Sequence, residues 1–291
     1  MYDDATAATA KAEPINHFVE INGLKLHYLD WGGDPGKHTL LLVHGGSAHA
    51  HWWDYVAPRL TAYGHVVALD FRGHGRSQWA DPPNYGLEVY LQELVGFISQ
   101  HLQTRVVLVG HSMGGHVAQL LADDRPDLLE ALIAIDSPPN GPPLATRLKW
   151  RWKRRKQGGP RPEFNSAQDL IKRFRLSPPG HALTPAKIAS LALQGSEQLP
   201  NGNWAFRFDP ETRVPRTTMR GMRRPRLRRI GLPVLVLRGA KSALMTRNAA
   251  LKMHRRLPRA TLKEIDGAYH HVPLDQPDAT VAAIGEFIQT L

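Results

Sequence analysis

Residues Val106 to Gly115 read VVLVGHSMGG, and the rest of the chain is organised around this stretch. Its first four residues are apolar and three of them are β-branched, which predicts a buried strand, and the MGGHVAQLLADD pattern that begins at residue 113 predicts a helix. Ser112 stands at the apex of the turn between the two. Glycine at positions 110 and 114 relieves the crowding that a Cβ would create beside so sharp a turn, while Ser112 takes the strain. The serine hydroxyl is therefore expected to stand clear of the sheet, at the positive end of a helix.

The length and composition indicate one large domain, or one domain that carries an insertion. The chain has 291 residues, of which 42% are hydrophobic, and can bury a large core. The absence of cysteine excludes a disulfide framework, a thiolate nucleophile and any metal site built on cysteine. No apolar run approaches the roughly 20 residues that a membrane span needs. Residues 1–14 are acidic where a secretory signal would be basic, so we expect a disordered leader on a cytoplasmic protein.

The positive charge of the chain is concentrated in one segment. The net charge is +11, but residues 140 to 232 alone hold 21 Lys and Arg against 5 Asp and Glu. The rest of the chain is net negative, so the basicity belongs to an insertion and not to the fold. This insertion is rich in Pro, Gly and Arg and interrupts the regular pattern that surrounds it.

Outside the insertion, apolar strands alternate with helical patterns. Two strands joined by the hairpin residues Asn22 and Gly23 come first. Four further buried strands follow before the insertion begins, and the loops at their carboxyl ends read HGGS, DFRG, GHSMG and DSP. The pattern resumes with PVLVLRGAKS from Pro233. Such alternation indicates the α/β class, with a mostly parallel, doubly wound sheet covered on both faces. We expect the core at 15–137 and 230–291, and a helical cap at 138–229 inserted after the sixth strand.

Five short motifs follow one another along the chain: LLLVHGG at 40–46, ALDFRGHGRS at 68–77, VGHSMGG at 109–115, VLVLRGAKS at 234–242 and AYHHVPLDQP at 268–277. Each is weak alone, but in this order they resemble the α/β-hydrolase family, in its branch of esterases, lactonases and haloperoxidases with a serine nucleophile and an inserted cap. The resemblance implies a serine nucleophile on a G-x-S-x-G elbow, a histidine base, an acidic residue that orients the histidine, and a backbone oxyanion hole. Ser112 is the nucleophile by position.

The histidine base of the family lies on the loop after the last strand, where this chain has His270 and His271. The family's usual pattern is Gly-His followed by apolar residues. Tyr269 takes the glycine's place here, which aligns His270 with the base and leaves His271 as a neighbour that packs or is solvated. A serine hydroxyl hardly ionises at neutral pH, so catalysis by Ser112 would need such a base within hydrogen-bond reach.

The acidic residue departs from the commonest pattern of the family. After the strand VLVLRG an aspartate is usual, but this chain has Ser242 there and no acidic residue between positions 241 and 254. Some members, certain haloalkane dehalogenases among them, place the acid one strand earlier, where Asp136 ends ALIAID. Either strand tip flanks the histidine loop, and we assign the role to Asp136 because a carboxylate there could fix the histidine tautomer. Asp266, or a dyad without an acid, is the alternative.

The resemblance also implies an oxyanion hole made of the backbone N–H groups of Gly46 and Met113. His111, beside the nucleophile, is assigned to the substrate pocket. A metal site at His49 and His51, or at the histidine pair of the last loop, would need a third or fourth ligand at a recognisable spacing, and none is evident. We therefore expect no metal and no cofactor.

The cap segment RLKWRWKRRK, at 147–156, interleaves tryptophan with cations. Such a run can bind nucleic acid by stacking and phosphate contacts, but it is more often a lid helix whose tryptophans face inward. Caps of the family line the acyl pocket, which makes Trp150, Trp152, Trp204 and Phe206 candidate pocket walls. We expect a small-molecule acyl substrate and no nucleic acid. The sequence leaves the oligomeric state open, a homodimer included.

These residues predict a serine hydrolase that opens a carboxylic ester or related acyl bond through an acyl-enzyme intermediate. Serine at the apex argues against haloalkane dehalogenases and epoxide hydrolases, whose nucleophile is aspartate. C–C bond hydrolysis and cofactor-free perhydrolysis or haloperoxidation use the same three residues, so both stay open. A hypothesis of another class is a non-catalytic binding protein whose contact surface is the basic cap.

Overall fold

The computed structural model describes residues 13–139, 160–213 and 223–291. Trp150, Trp152 and most of the predicted leader lie outside these ranges. The described strands form a central sheet of eight and a separate sheet of three. They are β1 (Ile15–Ile21), β2 (Leu24–Gly32), β3 (His38–Val43), β4 (Gly64–Leu69), β5 (Val106–His111), β6 (Leu129–Ile135), β7 (Glu163–Phe164), β8 (Ser196–Gln198), β9 (Trp204–Phe206), β10 (Val234–Gly239) and β11 (Ala260–Ile265).

The central sheet is mostly parallel, with the order β1-β2-β4-β3-β5-β6-β10-β11. The antiparallel hairpin β1–β2 turns at Asn22 and Gly23, whose φ angles of 52° and 75° are those that an Asn-Gly turn of type I′ requires. β2 also pairs antiparallel with β4, and every neighbouring pair from β4 to β11 is parallel. The carboxyl ends of β3, β5, β6 and β10 therefore share one edge of the sheet, and the loops that follow them meet there.

Helices cover both faces of this sheet, as the continuous apolar strands predict. The α-helices of the described ranges are α1 (Ala57–Leu60), α2 (Leu87–Gly96), α3 (Met113–Asp124), α4 (Ala167–Arg173), α5 (Pro185–Gln194), α6 (Arg247–His254), α7 (Val272–Asp275) and α8 (Pro277–Ile288). Alternate strand residues belong to two separate buried clusters: Leu41 packs with residues of α2, α3 and α6, and Leu40 packs with residues of α1 and α8. No helix in the described ranges is both long enough and apolar enough to span a membrane.

The chain leaves the central sheet after Ile135 and returns to it at Val234. The described part of this insertion is mixed, because it contains α4 and α5 together with the antiparallel sheet β7-β9-β8. The expected helical cap is therefore only partly helical. Strands of two or three residues are too short to show a period of two, and the residues that pair, such as Glu163 with Ala205, lie far apart in sequence.

The insertion packs on the carboxyl edge of the sheet. A third buried cluster joins Leu183 and Leu191 of the insertion to Ala48, Trp52 and Leu274 of the core loops. Both helices of the insertion have side-chain N-caps, with the Ser166 and Thr184 hydroxyls accepting backbone N–H groups three residues on. This packing places the insertion beside the loop after β3 and the loop that carries His270.

Candidate active site

Ser112 lies at the turn from β5 into α3, in the strained geometry that the sequence predicts. Its φ and ψ angles are 53° and −113°, a conformation that few residues other than glycine adopt. A Cβ at position 110 would lie 2.6 Å from the Cα of Gly115, and one at position 114 would lie 2.5 Å from the carbonyl oxygen of Val43. Glycine is thus required on both sides of the turn, because the backbone of the elbow is packed against itself and against β3.

A continuous chain of hydrogen bonds joins Ser112, His270 and Asp136. The Ser112 Oγ lies 2.9 Å from His270 Nε2, and His270 Nδ1 lies 2.7 Å from Asp136 Oδ1. Since a carboxylate only accepts, Nδ1 carries the proton and Nε2 accepts the serine hydroxyl. Both ring nitrogens of His270 are engaged in this way. Asp266, the alternative acid, follows β11 and is exposed.

Asp136 is fully buried and is held by groups from the neighbouring strand tip. Its Oδ2 accepts the backbone N–H of Gly239 at 3.0 Å, and its Oδ1 accepts the Ser242 hydroxyl at 2.6 Å. The Ser242 Oγ in turn accepts the backbone N–H groups of Leu244 and Met245, both at 3.2 Å. Because the Ser242 oxygen accepts these two N–H groups, its own proton is directed at Asp136.

The contact that Ser242 makes in the site is not predicted from the sequence. Serine stands here where the family usually has an aspartate. That substitution is itself the signal: a hydroxyl at the tip of β10 is within reach of a carboxylate at the tip of β6, because the two strands are parallel neighbours.

Asp275 is a second such residue, and it fixes the loop that carries His270. One of its carboxylate oxygens accepts the N–H of Tyr269 at 2.9 Å, and the other accepts the N–H of Ala182, in the insertion, at 2.7 Å. Burial raises the pKa of the Asp275 carboxyl above its usual value, and the two backbone donors partly offset this rise. Asp275 therefore connects the histidine loop to the insertion.

The loop after β3 lies against the nucleophile elbow. A Cβ on Gly45 would lie 3.2 Å from that of Ser112, and a Cβ on Gly46 would lie 3.7 Å from Met113 Sδ. The carbonyl of His44 accepts the N–H of Gly114 at 3.1 Å, which ties the loop to the first turn of α3. The two residues assigned to the oxyanion hole, Gly46 and Met113, are thus neighbours across this contact.

A small cavity of about 10 Å³ lies beside the elbow and is lined by His44, Trp52, Trp53, His111, Pro273 and Leu274. His111, assigned to the substrate pocket from the sequence, is one of these lining residues. Trp204 and Phe206 are not among the lining residues, because β9 pairs within the insertion and Phe206 packs against other rings there, namely Phe164, Phe174 and Phe208. The tryptophans of this cavity come instead from the helical turn Ala50–Trp53 after β3.

Burial lowers the pKa of several histidines around the cavity. Burial lowers the pKa of His111 well below its usual value, and the neighbouring His270 and His271 lower it further. Burial also lowers the pKa of His271, to about 3, and that of His44. One ring nitrogen from each of His111, His270 and His271 lies within 4.8 Å of the others, so this group could hold a metal ion. The sequence shows His270 and His271 as neighbours, but no pattern in it predicts that His111 lies beside them.

Comparison with known proteins identifies the family of the chain. A model of the alpha/beta hydrolase family matches residues 40–283. The esterase Rv0045c of Mycobacterium tuberculosis is 26% identical over 282 residues, covering 95% of this chain and 91% of that protein. The 2-(acetamidomethylene)succinate hydrolase of Mesorhizobium japonicum is 28% identical over 291 residues, covering 98% and 99%. The crystal structure of an E-2-(acetamidomethylene)succinate hydrolase superposes with a TM-score of 0.81 at 25% identity, covering 95% of this chain and 99% of that one.

These similarities extend over nearly the whole chain, the insertion included, and the proteins that carry them are esterases and other hydrolases. They confirm the predicted α/β fold class and the prediction of a hydrolase. The match of the family model over most of the chain, on a sheet with this strand order and a serine at the elbow, leads to one conclusion: the chain belongs to the α/β hydrolase family.

Proposed function

We propose that this chain is a serine hydrolase that cleaves a carboxylic ester or a related acyl bond of a small-molecule substrate. The observation that carries the proposal is the chain of hydrogen bonds from Ser112 through His270 to Asp136, with separations of 2.9 and 2.7 Å. A nucleophile within reach of a base, and a base oriented by a buried carboxylate, is the arrangement that acyl transfer requires.

In the first half of the reaction, His270 Nε2 takes the proton of Ser112 as Oγ attacks the substrate carbonyl carbon. The imidazolium that forms lies against the Asp136 carboxylate, which stabilises it, and returns the proton to the leaving group as the tetrahedral intermediate collapses. In the second half, His270 activates water, which attacks the acyl-serine carbonyl and releases the acid.

The backbone N–H groups of Gly46 and Met113 are proposed to bind the oxyanion of each tetrahedral intermediate. Their support is the close approach of the loop after β3 to the elbow. Amides that are already fixed in place need no reorganisation when the negative charge develops, which is why such donors lower the barrier.

The insertion, residues 138–229, is proposed as the cap over this site. Arg213 of the insertion donates its Nε–H to the Ser47 hydroxyl at 2.9 Å, beside the proposed oxyanion loop. His49 of the core donates its Nε2–H to the carbonyl of Leu191 at 3.1 Å. These contacts support a role for the insertion in shaping access to Ser112, as a wall of the substrate site.

The decisive experiment is active-site labelling with a fluorophosphonate, which reacts with an activated serine. The native protein should be labelled at one residue and lose its turnover of short acyl esters, while Ser112→Ala should neither label nor turn over. Ser47→Ala, which changes a serine beside the site but outside the hydrogen-bonded chain, is the matched control and should still be labelled. Equal labelling of Ser112→Ala and the native protein would reject the proposal.

The substrate panel should separate the bond types that share this machinery. Short acyl esters, lactones, a C–C bond substrate with an acyl group, and peroxide-dependent halogenation are assayed side by side, with Ser112→Ala as the blank. Turnover only of the C–C substrate, or only with peroxide, would replace ester hydrolysis by that activity. No turnover, together with salt-dependent retention on an anionic polymer, would favour the binding protein with a basic cap.

A further inference from the structure

Three histidines meet at the candidate active site, and their hydrogen bonds fix which nitrogen of each ring carries the proton. His111 Nε2 lies 2.9 Å from the carbonyl oxygen of His270, and His271 Nε2 lies 3.1 Å from that of Pro178. A carbonyl oxygen only accepts, so both Nε2 atoms are protonated and both Nδ1 atoms are bare. His270 donates from Nδ1 to Asp136, which leaves its Nε2 bare except for the serine hydroxyl.

Each ring therefore has one N–H anchored on a carbonyl or carboxylate; the second nitrogen of His111 and of His271 has a free lone pair, and that of His270 accepts the Ser112 hydroxyl. This is the arrangement of histidines that bind metals, where the anchored N–H fixes the tautomer and the ring orientation. His271 adds an independent observation. It is 1% exposed, and its Nδ1 is buried without a hydrogen-bond partner. A buried acceptor of this kind lacks the hydrogen bond that water would give it, and a cation would supply the missing interaction.

The three rings are close enough for one ion. One nitrogen from each lies within 4.8 Å of the others. Tetrahedral Zn²⁺ with Zn–N bonds near 2.0 Å sets its ligand nitrogens about 3.4 Å apart, so binding would draw the three nitrogens closer together than they lie in the structure. Trp52 packs against both His111 and His271, which limits the access of bulk water from that side.

We infer that His111, His270 and His271 form an inhibitory binding site for a divalent transition metal ion such as Zn²⁺. The ion takes the lone pair of His270 Nε2, so the Ser112 hydroxyl loses the acceptor for its proton. The loss of turnover rests on the proposed function, because it follows only if His270 is the base; the binding of the metal does not. Imidazole ligands favour Zn²⁺, Ni²⁺ and Cu²⁺, whereas Mg²⁺ and Ca²⁺ require oxygen ligands.

The test measures metal binding and turnover separately on protein freed of metal with EDTA. Isothermal titration with ZnCl₂ should give one ion per chain, and Zn²⁺ should inhibit hydrolysis of a short acyl ester reversibly, with recovery on adding EDTA. MgCl₂ at the same concentration should do neither. Ser112→Ala is inactive but keeps all three rings, so it should bind Zn²⁺ at least as tightly as the native protein.

Two ligand variants locate the site. His271→Gln and His111→Asn should each weaken Zn²⁺ binding at least tenfold, and the inhibition constant of any variant that retains turnover should rise with it. His254→Gln, on the distant helix α6, is the matched control and should bind like the native protein. Melting curves establish whether each variant is folded. If one ligand variant does not fold, the test uses the other ligand variant and the His254→Gln control.

The outcomes separate the two proposals. Binding of Zn²⁺ that depends on His111 or His271, in a protein that shows no turnover, would leave the metal site standing and remove the hydrolase mechanism. Turnover without Zn²⁺ binding, or binding unaffected by both ligand variants, would overturn the metal site. Binding lost in His51→Gln would also overturn it, by moving the ion to the histidines after β3.

Discussion

At the scale of single residues, the site is distinguished by a hydrogen bond between two neighbouring strand tips. Asp136 lies at the tip of β6 and Ser242 at the tip of β10, and the Ser242 hydroxyl donates to the Asp136 carboxylate. The same carboxylate oxygen, Asp136 Oδ1, also accepts the N–H of His270. Ser242 is therefore placed to fix the orientation of Asp136, and through it that of His270.

Replacing Ser242 by alanine is expected to lower kcat about tenfold with little change in KM. The reason is the loss of one hydrogen bond to a buried carboxylate, worth about 1.4 kcal/mol if it acts fully in the transition state. Steady-state kinetics on a short acyl ester measure the effect. Ser99→Ala, which removes an exposed hydroxyl bound to the Val95 carbonyl of α2, is the control. A native kcat in Ser242→Ala would show that Asp136 needs no such support.

Asp136→Asn is expected to retain the fold and lose about 10⁴ in kcat, the loss known for an amide in the orienting position of such a triad. The amide donates where the carboxylate accepts, which favours the wrong tautomer of His270. Asp266→Asn alters an exposed residue and should leave kcat unchanged. The reverse ranking of the two variants would assign the acid to Asp266, and equally small effects would indicate a dyad.

At the scale of elements, the turn from β5 into α3 depends on glycines that bring three elements together. A Cβ at position 114 would lie 2.5 Å from the Val43 carbonyl oxygen and 2.6 Å from that of His44, and both are rigid backbone atoms. The elbow and the loop after β3 are thus one packed unit, in which neither can shift alone.

Gly114→Ala is expected to lower the free energy of unfolding by about 2 kcal/mol, because the methyl group must push β3 and α3 apart. The same displacement would move Ser112 away from His270 and slow fluorophosphonate labelling. Denaturant unfolding and labelling rates measure the two effects. Gly231→Ala is the control, since a Cβ there meets nothing within 4 Å. Equal stability of the two variants would show that the elbow tolerates a side chain.

At the scale of the whole molecule, buried histidines connect the core to the insertion. They also make the free energy of unfolding of the chain dependent on pH. His49 is buried, donates Nε2–H to Leu191 of α5, and has no partner for Nδ1. Burial lowers its pKa from 6.5 to about 3. Between these two values the unfolded chain binds a proton that the folded chain does not, so stability falls as the pH decreases below about 6.5.

His49→Gln should reduce the loss of stability between pH 7.0 and pH 5.5 by about 1 kcal/mol, the linkage contribution of one such histidine. The amide of glutamine can still donate to the Leu191 carbonyl but does not titrate. Denaturant unfolding at the two pH values measures the difference. His254→Gln, which changes a half-buried histidine on α6, should leave the native pH dependence. Parallel losses in the native protein and His49→Gln would exclude His49 as the cause.

The sequence by itself determined the features that depend on neighbouring residues. The strand, turn and helix around Ser112 follow from apolar residues and glycines within one stretch, and the alternation of buried strands with helices predicts the parallel sheet that the structure has. The order of five motifs along the chain was enough to predict the family.

Only the tertiary structure decided which distant groups touch. Asp136 and Asp266 each follow the last residue of a strand, and their neighbours in sequence do not show which of them contacts the histidine. The pairing of β6 with β10 and the path of the last loop bring Asp136 onto His270, which is 134 positions away in sequence. The contact of Ser242 with Asp136, the walls of the cavity, the strands of the insertion and the meeting of His111 with His270 and His271 were hidden for the same reason. Each is a contact between segments far apart in sequence, and such contacts leave no periodicity or spacing by which a sequence could reveal them.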